Sequence, residues 1–256
     1  MRFASLGSGS GGNAFLVEQG RTCLLVDCGF SLKETERRLH RLGKAPEQLS
    51  GVLVTHEHAD HIHGVGMLSR KYGLTVWMTP GTWRAQRAGE LAGVHLFNCH
   101  EPLEIHDLWV QPFPVPHDAQ EPSQFVFSDG DVKLAIATDL GSHTPHVVEQ
   151  LSGSHALVLE CNHDTDLLVN GRYPPSLKQR VGGRHGHLSN DQSADLVSRL
   201  DQSRLQHVVA AHLSEKHNTP ALAAAALSGA LSCQPEWIGI ADQAAGLDWR
   251  SIERIF

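Results

Sequence analysis

The sequence lacks the marks of a secreted, membrane-bound or nucleic-acid-coating protein. Its five cysteines are scattered without a CxxC pair, which argues against a zinc ribbon or a disulfide scaffold and indicates reduced thiols in the cytoplasm. No stretch approaches the ~20 continuous apolar residues of a membrane helix, and the first eight residues contain no apolar signal-peptide core. The formal net charge is −7, whereas a protein that coats nucleic acid is basic. Any phosphate chemistry must therefore depend on a local site.

Histidine, by contrast, is abundant, with 18 residues in a chain of 256. Strands are predicted at 23–27, 52–55, 75–78, 132–138, 156–159 and 207–211, with antiparallel strands within 96–127. Helices, with their capping residues, are predicted at 31–42, 62–72, 80–87, 189–200 and 219–231. No linker or internal repeat interrupts this alternation. We therefore expect one α/β domain over residues 1–256.

Side chains that can bind a metal or take part in catalysis recur where these predicted strands end. They are Asp27, His56, Asp139, Glu160 and His212. Because functional sites of α/β proteins are built at the carboxyl ends of strands, this placement predicts that the side chains share one site.

The strongest motif is His56-x-His58-x-Asp60-His61, which directly follows a predicted buried strand. Imidazole and carboxylate groups bind zinc, iron or manganese, and four of them in six residues are too many for one tetrahedral ion. The zincin motif HExxH does not apply, because Asp60 stands where the second histidine would be. The alternative is a polar loop in which Asp60 only caps the following helix.

Further ligands must come from elsewhere in the chain, and His117, Asp139 and His212 are the candidates. Each alone is typical of a structural residue, but their shared placement favours a common role. Together with the motif they would form a two-metal site with Asp139 as the bridge and a spacing of about 3.5–4 Å. The ligand types fit Zn²⁺, Mn²⁺ or Fe and do not select among them.

The chain resembles the metallo-β-lactamase fold hydrolases, and within them the YycJ/WalJ-like branch. The resemblance extends over most of the chain, in the segments GSGSGGN (7–13), LLVDCG (24–29), THEHADHIHGVG (55–66), PHDAQEP (116–122), ATDLG (137–141), LECNHD (159–164), GHLSN (186–190) and HLSEKHN (212–218). It implies a single-domain αββα sandwich and 5′→3′ exonuclease activity on DNA. His63 and Cys161 depart from the branch pattern, and neither is a motif ligand.

The resemblance also implies how the ligands are shared between two ions. One ion would be held by His56, His58 and His117, and the other by Asp60, His61 and His212. Asp139 would lie between them.

A second group of residues points to phosphate recognition. Residues 186–190 open a predicted helix, whose N-terminal amides favour an anion. His187 resembles the phosphate-contacting, leaving-group-side histidine of related ribonucleases, and Glu160 is placed to orient it. Lys178, Arg180 and Arg184 add local positive charge. We predict Arg184 and Asn190 as substrate contacts; the alternative is an ordinary capped helix with solvated cations.

The glycine-rich segment 7–12 formally matches GxGxxG, with Asp27 about 20 residues further on. The chain between them is too short for the crossover helix of a dinucleotide-binding fold. We interpret the segment as a loop at the mouth of the site, with Ser8, Ser10 and Asn13 as candidate substrate contacts.

The sequence thus predicts a dinuclear, metal-dependent phosphodiesterase that acts on nucleic acid, with DNA favoured over RNA. Asp60 would bind metal and take up a proton from water, and His187 would stabilise the developing charge or protonate the leaving oxygen. The alternatives are hydrolysis of a thioester, ester, lactam or cyclic phosphodiester, and a non-catalytic, metal-bound partner in signalling or repair. No membrane association is expected, and the oligomeric state is left open.

Overall fold

Strands and helices alternate along the chain in the computed structural model, which describes residues 1–254. The last two residues of the predicted domain lie outside the described part. The strands are β1 (Arg2–Gly7), β2 (Ala14–Gln19), β3 (Thr22–Val26), β4 (Gly51–Leu53), β5 (Thr75–Met78), β6 (Gly93–Leu96), β7 (Leu103–Ile105), β8 (Leu108–Pro114), β9 (Ser123–Ser128), β10 (Lys133–Ala137), β11 (Ala156–Glu160), β12 (His207–Ala211), β13 (Gly239–Ile240) and β14 (Leu247–Ser251). The helices are α1 (Leu32–Arg41), α2 (Ala59–Ile62), α3 (Val65–Tyr72), α4 (Pro80–Arg84), α5 (Pro145–Leu151), α6 (Thr165–Asn170), α7 (Pro175–Val181), α8 (Asn190–Ser198) and α9 (Pro220–Leu231).

The strands of residues 1–254 form two seven-stranded sheets. The first has the order β14-β1-β2-β3-β4-β5-β6 and the second the order β13-β12-β11-β10-β9-β8-β7. In each sheet an antiparallel part leads into a parallel part, which begins at the β3–β4 pair in the first and the β10–β11 pair in the second. Strand β14 returns from the second half of the chain to pair with β1. The parallel strands therefore send their carboxyl ends toward loops that can carry a site.

Successive side chains of each strand point to opposite faces of its sheet, and this alternation produces three apolar layers. In β10, Leu134 and Ile136 join the layer between the sheets, whereas Ala135 and Ala137 face the helices outside. The first sheet packs its outer face against α1 and α3, and the second packs its outer face against α5, α8 and α9. Because both faces of the central strands are covered, these strands are continuous apolar runs in the sequence. The result is the αββα sandwich that the resemblance implied, in a single domain.

Phe125 lies at the centre of the layer between the sheets, with its ring 5.8 Å from that of Phe97 and 6.1 Å from that of Phe127. It is 0% exposed. We expect Phe125→Ala to lower the free energy of unfolding by about 3–5 kcal/mol, because it removes a buried ring and leaves a cavity. Trp109→Ala, at a position 47% exposed, is the control and should change it by less than about 1 kcal/mol. Urea denaturation of both variants measures the difference, and equal losses would contradict this account of the core.

One predicted helix differs from the structure. Residues 62–72 are not one helix: α2 begins earlier, at Ala59, and α3 begins at Val65. Gly64 lies at the break, where a Cβ would overlap the carbonyl oxygen of Phe30. The close approach of the loop after β3 therefore requires glycine and turns the chain. Asp60 lies in the first turn of α2 and does not cap it, since the N-cap residue is His58.

The remaining predicted helices begin and end close to their expected positions, because their capping residues are present. Ser31 Oγ accepts a hydrogen bond from the Glu34 amide at the start of α1, and Thr219 caps α9 in the same way. Helix α4 ends at Arg84, three residues before the predicted end. Among the described residues, no helix has the length and apolar character needed to cross a membrane.

Candidate metal centre

The loops that follow the strands bring the predicted ligands to one edge of the sandwich. Asp27 follows β3, Asp139 follows β10 and His212 follows β12, and all three have positive φ, at 60°, 57° and 54°. Aspartate and histidine tolerate this left-handed conformation better than most residues. The strand ends therefore turn sharply, which is a common feature of functional sites.

Nine side chains of this edge form overlapping groups in which the ligand atoms lie within 4.8 Å of one another. The groups are His56, His58 and His117; Asp60, His61 and His212; His56, His61 and Asp139; and Asp139, Glu160, His187 and His212. The structure thus brings together all seven side chains that the sequence proposes as ligands. The first two groups match the two ligand sets that the resemblance implied, and Asp139 lies beside both.

Hydrogen bonds indicate which ring nitrogen of each histidine carries the proton when the ring is neutral. His61 Nδ1 donates to Asp27 Oδ2 at 2.7 Å, His117 Nδ1 to the Gly186 carbonyl at 2.9 Å, and His212 Nδ1 to Glu160 Oε1 at 3.0 Å. Because these acceptors hold the proton on Nδ1, the Nε2 lone pair of the neutral ring is available to a cation.

His56 and His58 reach the same state by different contacts. The Thr55 hydroxyl donates to Asp27 Oδ2, so it must accept from His56 Nδ1, 2.9 Å away. His58 is turned the other way: its Nε2 donates to the Asp118 carbonyl at 3.2 Å, which leaves Nδ1 unprotonated in the neutral ring, 3.2 Å from His117 Nε2. All five histidines therefore present an unprotonated nitrogen when the ring is neutral.

Two buried atoms of the cluster stand out: His56 Nε2 has no hydrogen-bond partner, and the contact of Asp139 Oδ2 is with another candidate ligand atom, His61 Nε2, at 3.1 Å. A buried polar atom without a partner is unfavourable by about 1–3 kcal/mol, so native proteins rarely tolerate it without a reason. An imidazole lone pair and a carboxylate oxygen are both electron-pair donors. A divalent cation would satisfy both.

The electrostatics of the site favour positive charge. Burial alone would raise the pKa of Asp139, but His212 and His61 hold it well below its usual range. Burial opposes protonation of His212, yet Asp139, Asp60 and Glu160 raise its pKa to about 10. Burial lowers the pKa of His56 and keeps that ring neutral. The carboxylates thus remain ionised in the interior, and they attract cations to the point where the histidines converge.

The backbone of Asp60 connects the HxHxDH motif to the neighbouring loops at this edge of the sandwich. Its carbonyl accepts from the Asn13 amide at 2.7 Å, and the Asn13 carbonyl accepts from the Gly29 amide at 3.0 Å. A Cβ at Gly29 would overlap the Asp60 carbonyl. Glycine at position 29 therefore allows the loop after β3 to lie directly against the metal-ligand motif.

Next to the cluster lies a cavity of about 330 Å³. His58, Asp60, Asp139 and His212 form its base, and the walls come from loops, from the start of α2 and from α7. The wall residues are Ser10, Ala59, Asp118, Leu177, Arg180, Val181, Gly186 and His187. The cluster is thus open to a ligand on this side.

The sequence-family model that describes the beta-lactamase superfamily domain matches residues 22–212 of this chain. The chain is also 35% identical to the exodeoxyribonuclease WalJ of Streptococcus pneumoniae, over 87% of this chain and 85% of that protein. It is 37% identical to the exodeoxyribonuclease YycJ of Bacillus anthracis, over 90% of this chain and 89% of that protein. The chain belongs to the beta-lactamase superfamily.

A solved structure shows the same superfamily fold. The metallo-beta-lactamase fold protein YhfI from Bacillus subtilis superimposes with a TM-score of 0.76 at 16% identity, covering 98% of this chain and 99% of that one. The resemblance stated from sequence to this superfamily and to its WalJ/YycJ branch is confirmed.

His187, predicted from sequence to contact phosphate, lies at the cavity wall beside Glu160. Its Nδ1 donates to Glu160 Oε1 at 2.8 Å, as the sequence predicted, and its side chain is 22% exposed at the cavity wall. Glu160 is buried and also accepts from His212 and from the Leu140 and Leu188 amides. One carboxylate therefore orients both a candidate ligand and the histidine beside it.

Ser8 and Asn13, predicted as substrate contacts, are buried behind the cavity wall. Ser8 Oγ donates to Asn13 Oδ1 at 2.8 Å and accepts from the His212 amide at 2.9 Å. The Asn13 amide group donates to the Gly9 carbonyl and lies 3.4 Å from Asp60 Oδ2. Direct substrate contact does not fit this placement, because their polar atoms are engaged within the protein. Ser10 is the residue of this loop that lines the cavity.

The other two predicted contacts also lie away from the cavity. Asn190 is buried and exchanges two hydrogen bonds of 2.9 Å with Asn218, so its amide joins two loops instead of facing a substrate. Arg184 is exposed and does not line the cavity, whereas Arg180 does. Sequence reasoning noted the positive charges of residues 178–184 but could not tell which arginine of that segment lines the cavity.

Proposed function

We propose that this protein is a two-metal exodeoxyribonuclease. The observation that carries the proposal is the buried, unpartnered His56 Nε2, which lies in a cluster where the five candidate histidine ligands and Asp139 form overlapping groups whose ligand atoms lie within 4.8 Å of one another. The WalJ and YycJ relatives, which cover most of the chain, are named exodeoxyribonucleases. Hydrolysis of DNA is therefore the reaction that the site and the relatives favour together.

The proposed ligand sets follow the groups seen in the structure. One ion would be held by His56, His58 and His117, a second by Asp60, His61 and His212, and Asp139 would serve both. Zn²⁺, Mn²⁺ and Fe²⁺ fit these ligand types equally. Such ions would supply Lewis-acid polarisation of the phosphoryl group and a strong oxygen nucleophile at neutral pH.

The protein's own groups would handle the protons. Asp60 Oδ2 lies at the cavity base, 3.3 Å from His212 Nε2, and would take up the proton released by the attacking water. His187 holds its Nδ1 proton on Glu160, which directs Nε2 toward the cavity. A proton donated from Nε2 would neutralise the leaving oxygen as the P–O bond breaks.

The composition of the cavity wall favours a phosphodiester over a lactam or thioester. Arg180 and His187 both line the cavity, and each can donate hydrogen bonds to phosphoryl oxygens. For the direction of digestion we propose 5′→3′, as the sequence resemblance implies, with DNA preferred to RNA and a cytoplasmic location suited to the five free cysteines.

The decisive experiment removes and restores the metal. Protein stripped with a chelator should lose DNA hydrolysis by about 10²-fold or more, and Mn²⁺, Zn²⁺ or Fe²⁺ should restore it. The substrates are strands labelled at one end, an RNA of equal sequence, a cyclic nucleotide, a thioester and a chromogenic lactam. Stepwise release of mononucleotides from the 5′ end is expected.

Two results would contradict this proposal. One is the absence of DNA cleavage with every metal, and the other is faster hydrolysis of the thioester or lactam than of DNA. Mass spectrometry of the bound metal provides the internal check, because two ions per chain are expected.

A further inference from the structure

Helix α7 presents an uncovered face to the cavity. None of its seven residues is buried, yet Leu177, Arg180 and Val181 all line the cavity. Residues at positions i, i+3 and i+4 lie on one side of a helix, so the three side chains form a continuous surface. Leu177 and Val181 are apolar and Arg180 is a cation, so this surface suits a ligand with both apolar and anionic parts.

Arg180 is held in place on this face by one ion pair. Its Nε donates to Asp118 Oδ2 at 2.6 Å, and no other hydrogen bond of the guanidinium is found within residues 1–254. The side chain is 62% exposed. The two terminal nitrogens therefore remain available to a ligand, while Asp118 limits the motion of the long side chain.

Asp118 is itself anchored beside the metal-ligand cluster. Its carbonyl accepts from His58 Nε2 at 3.2 Å, and its amide donates to the His185 carbonyl at 2.9 Å. The position of Arg180 is thus set relative to the proposed reaction centre and not only relative to its own helix.

The charge at this position selects for a strongly anionic partner. Asp118 offsets much of the positive charge of Arg180, so an incoming anion must compete with a carboxylate. A phosphate monoester carries up to two charges near neutral pH and presents paired oxygens to the guanidinium fork, whereas an internal phosphodiester carries one charge. A cavity of about 330 Å³ lies at the small end of ligand pockets, which suits one terminal nucleotide.

We propose that Arg180, oriented by Asp118, binds the terminal phosphate monoester of a DNA strand, with Leu177 and Val181 in contact with the terminal sugar or base. This inference rests on the proposed nuclease function and adds to it the feature of the substrate that is recognised. It makes Arg180 a specificity-determining residue for strand ends.

The test compares strands of one sequence that carry a phosphate at the 5′ end, at the 3′ end or at neither. The wild-type protein should prefer one phosphorylated end in kcat/KM by about 10- to 100-fold, the value of hydrogen bonds to a charged group. Arg180→Ala should bring that preference to within about twofold of unity, through a higher KM for the phosphorylated strand, because it lowers kcat/KM for that strand more than for hydroxyl-ended DNA. Arg184→Ala, which changes an exposed arginine outside the cavity, should keep the full preference.

Each alternative outcome is distinct. Equal loss on phosphorylated and hydroxyl ends in Arg180→Ala would overturn the inference, because an internal or structural contact predicts it. DNA digestion by the wild type without any end preference would overturn it too, while the proposed function stands. No digestion of DNA at all would overturn both. If Arg180→Ala does not fold, Arg180→Lys provides the test. Lysine keeps the positive charge but lacks the paired N–H donors of the guanidinium, so this variant should lose most of the preference for a phosphorylated end.

Discussion

Asp60→Ala is expected to lower kcat/KM for DNA by about 10³-fold, with no change in fold. The carboxylate lies at the cavity base, with Oδ2 3.3 Å from His212 Nε2 and 3.5 Å from His61 Nε2, so its loss removes both a proposed ligand and a proton acceptor. The structural role of the residue belongs to its backbone carbonyl, which accepts from the Asn13 amide. Alanine keeps that contact.

The measurement for Asp60→Ala combines steady-state DNA digestion with metal analysis and circular dichroism. Asp248→Ala is the matched control, because Asp248 is exposed and makes no side-chain hydrogen bond within the described residues. Activity near the wild-type level in a folded Asp60→Ala protein would exclude Asp60 from the reaction. Loss of activity in Asp248→Ala as well would indicate a general effect of removing negative charge.

His187→Ala is expected to lower kcat by about 10²- to 10⁴-fold, the usual contribution of a positioned proton donor, while the metal content stays at the wild-type level. The backbone amide of His187 would still donate to the Val181 carbonyl, so the loop keeps its anchor. His185→Ala is the matched control: it is an exposed histidine two residues away and does not line the cavity.

A change of leaving group separates proton donation from other roles of His187. A p-nitrophenyl ester of a nucleoside 5′-phosphate releases an oxygen that needs no proton, so His187→Ala should lose less than about tenfold on it. Equal losses on DNA and on this ester would show that His187 does not act as the acid. A lower metal content would instead place His187 among the residues that maintain the cluster.

The αββα sandwich could be anticipated because its strands carry a strong local signal. Strand β12, for example, occupies the predicted residues His207–Ala211, since an apolar run covered on both faces is visible without knowledge of its neighbours. The pairing of β14 with β1 was not predicted, because it joins the two ends of the chain and no local pattern encodes it. The break between α2 and α3 escaped prediction for a similar reason: Gly64 is needed only because Phe30 lies against it.

The candidate ligands could be predicted from the sequence. Some lie close together in the chain, and the others recur at the ends of predicted strands. His56, His58, Asp60 and His61 lie within six residues, and any loop that displays them brings them close together. Asp27 was noted as a strand-end residue, but its contact with His61 gives it a positioning role that spacing alone does not distinguish from that of a ligand.

The side chains that meet at the edge of the sheets could be anticipated from the chain alone, because strand periodicity and the compact HxHxDH motif are local patterns. Their hydrogen-bond partners and their exposure follow only from the packing of distant segments. The position of the proton on neutral His212 depends on Glu160, 52 residues away, and the position of Arg180 at the cavity depends on Asp118, 62 residues away. Hydrogen-bond partners and cavity walls arise only when distant segments pack, which is why Ser8, Asn13 and Asn190 turned out to be buried.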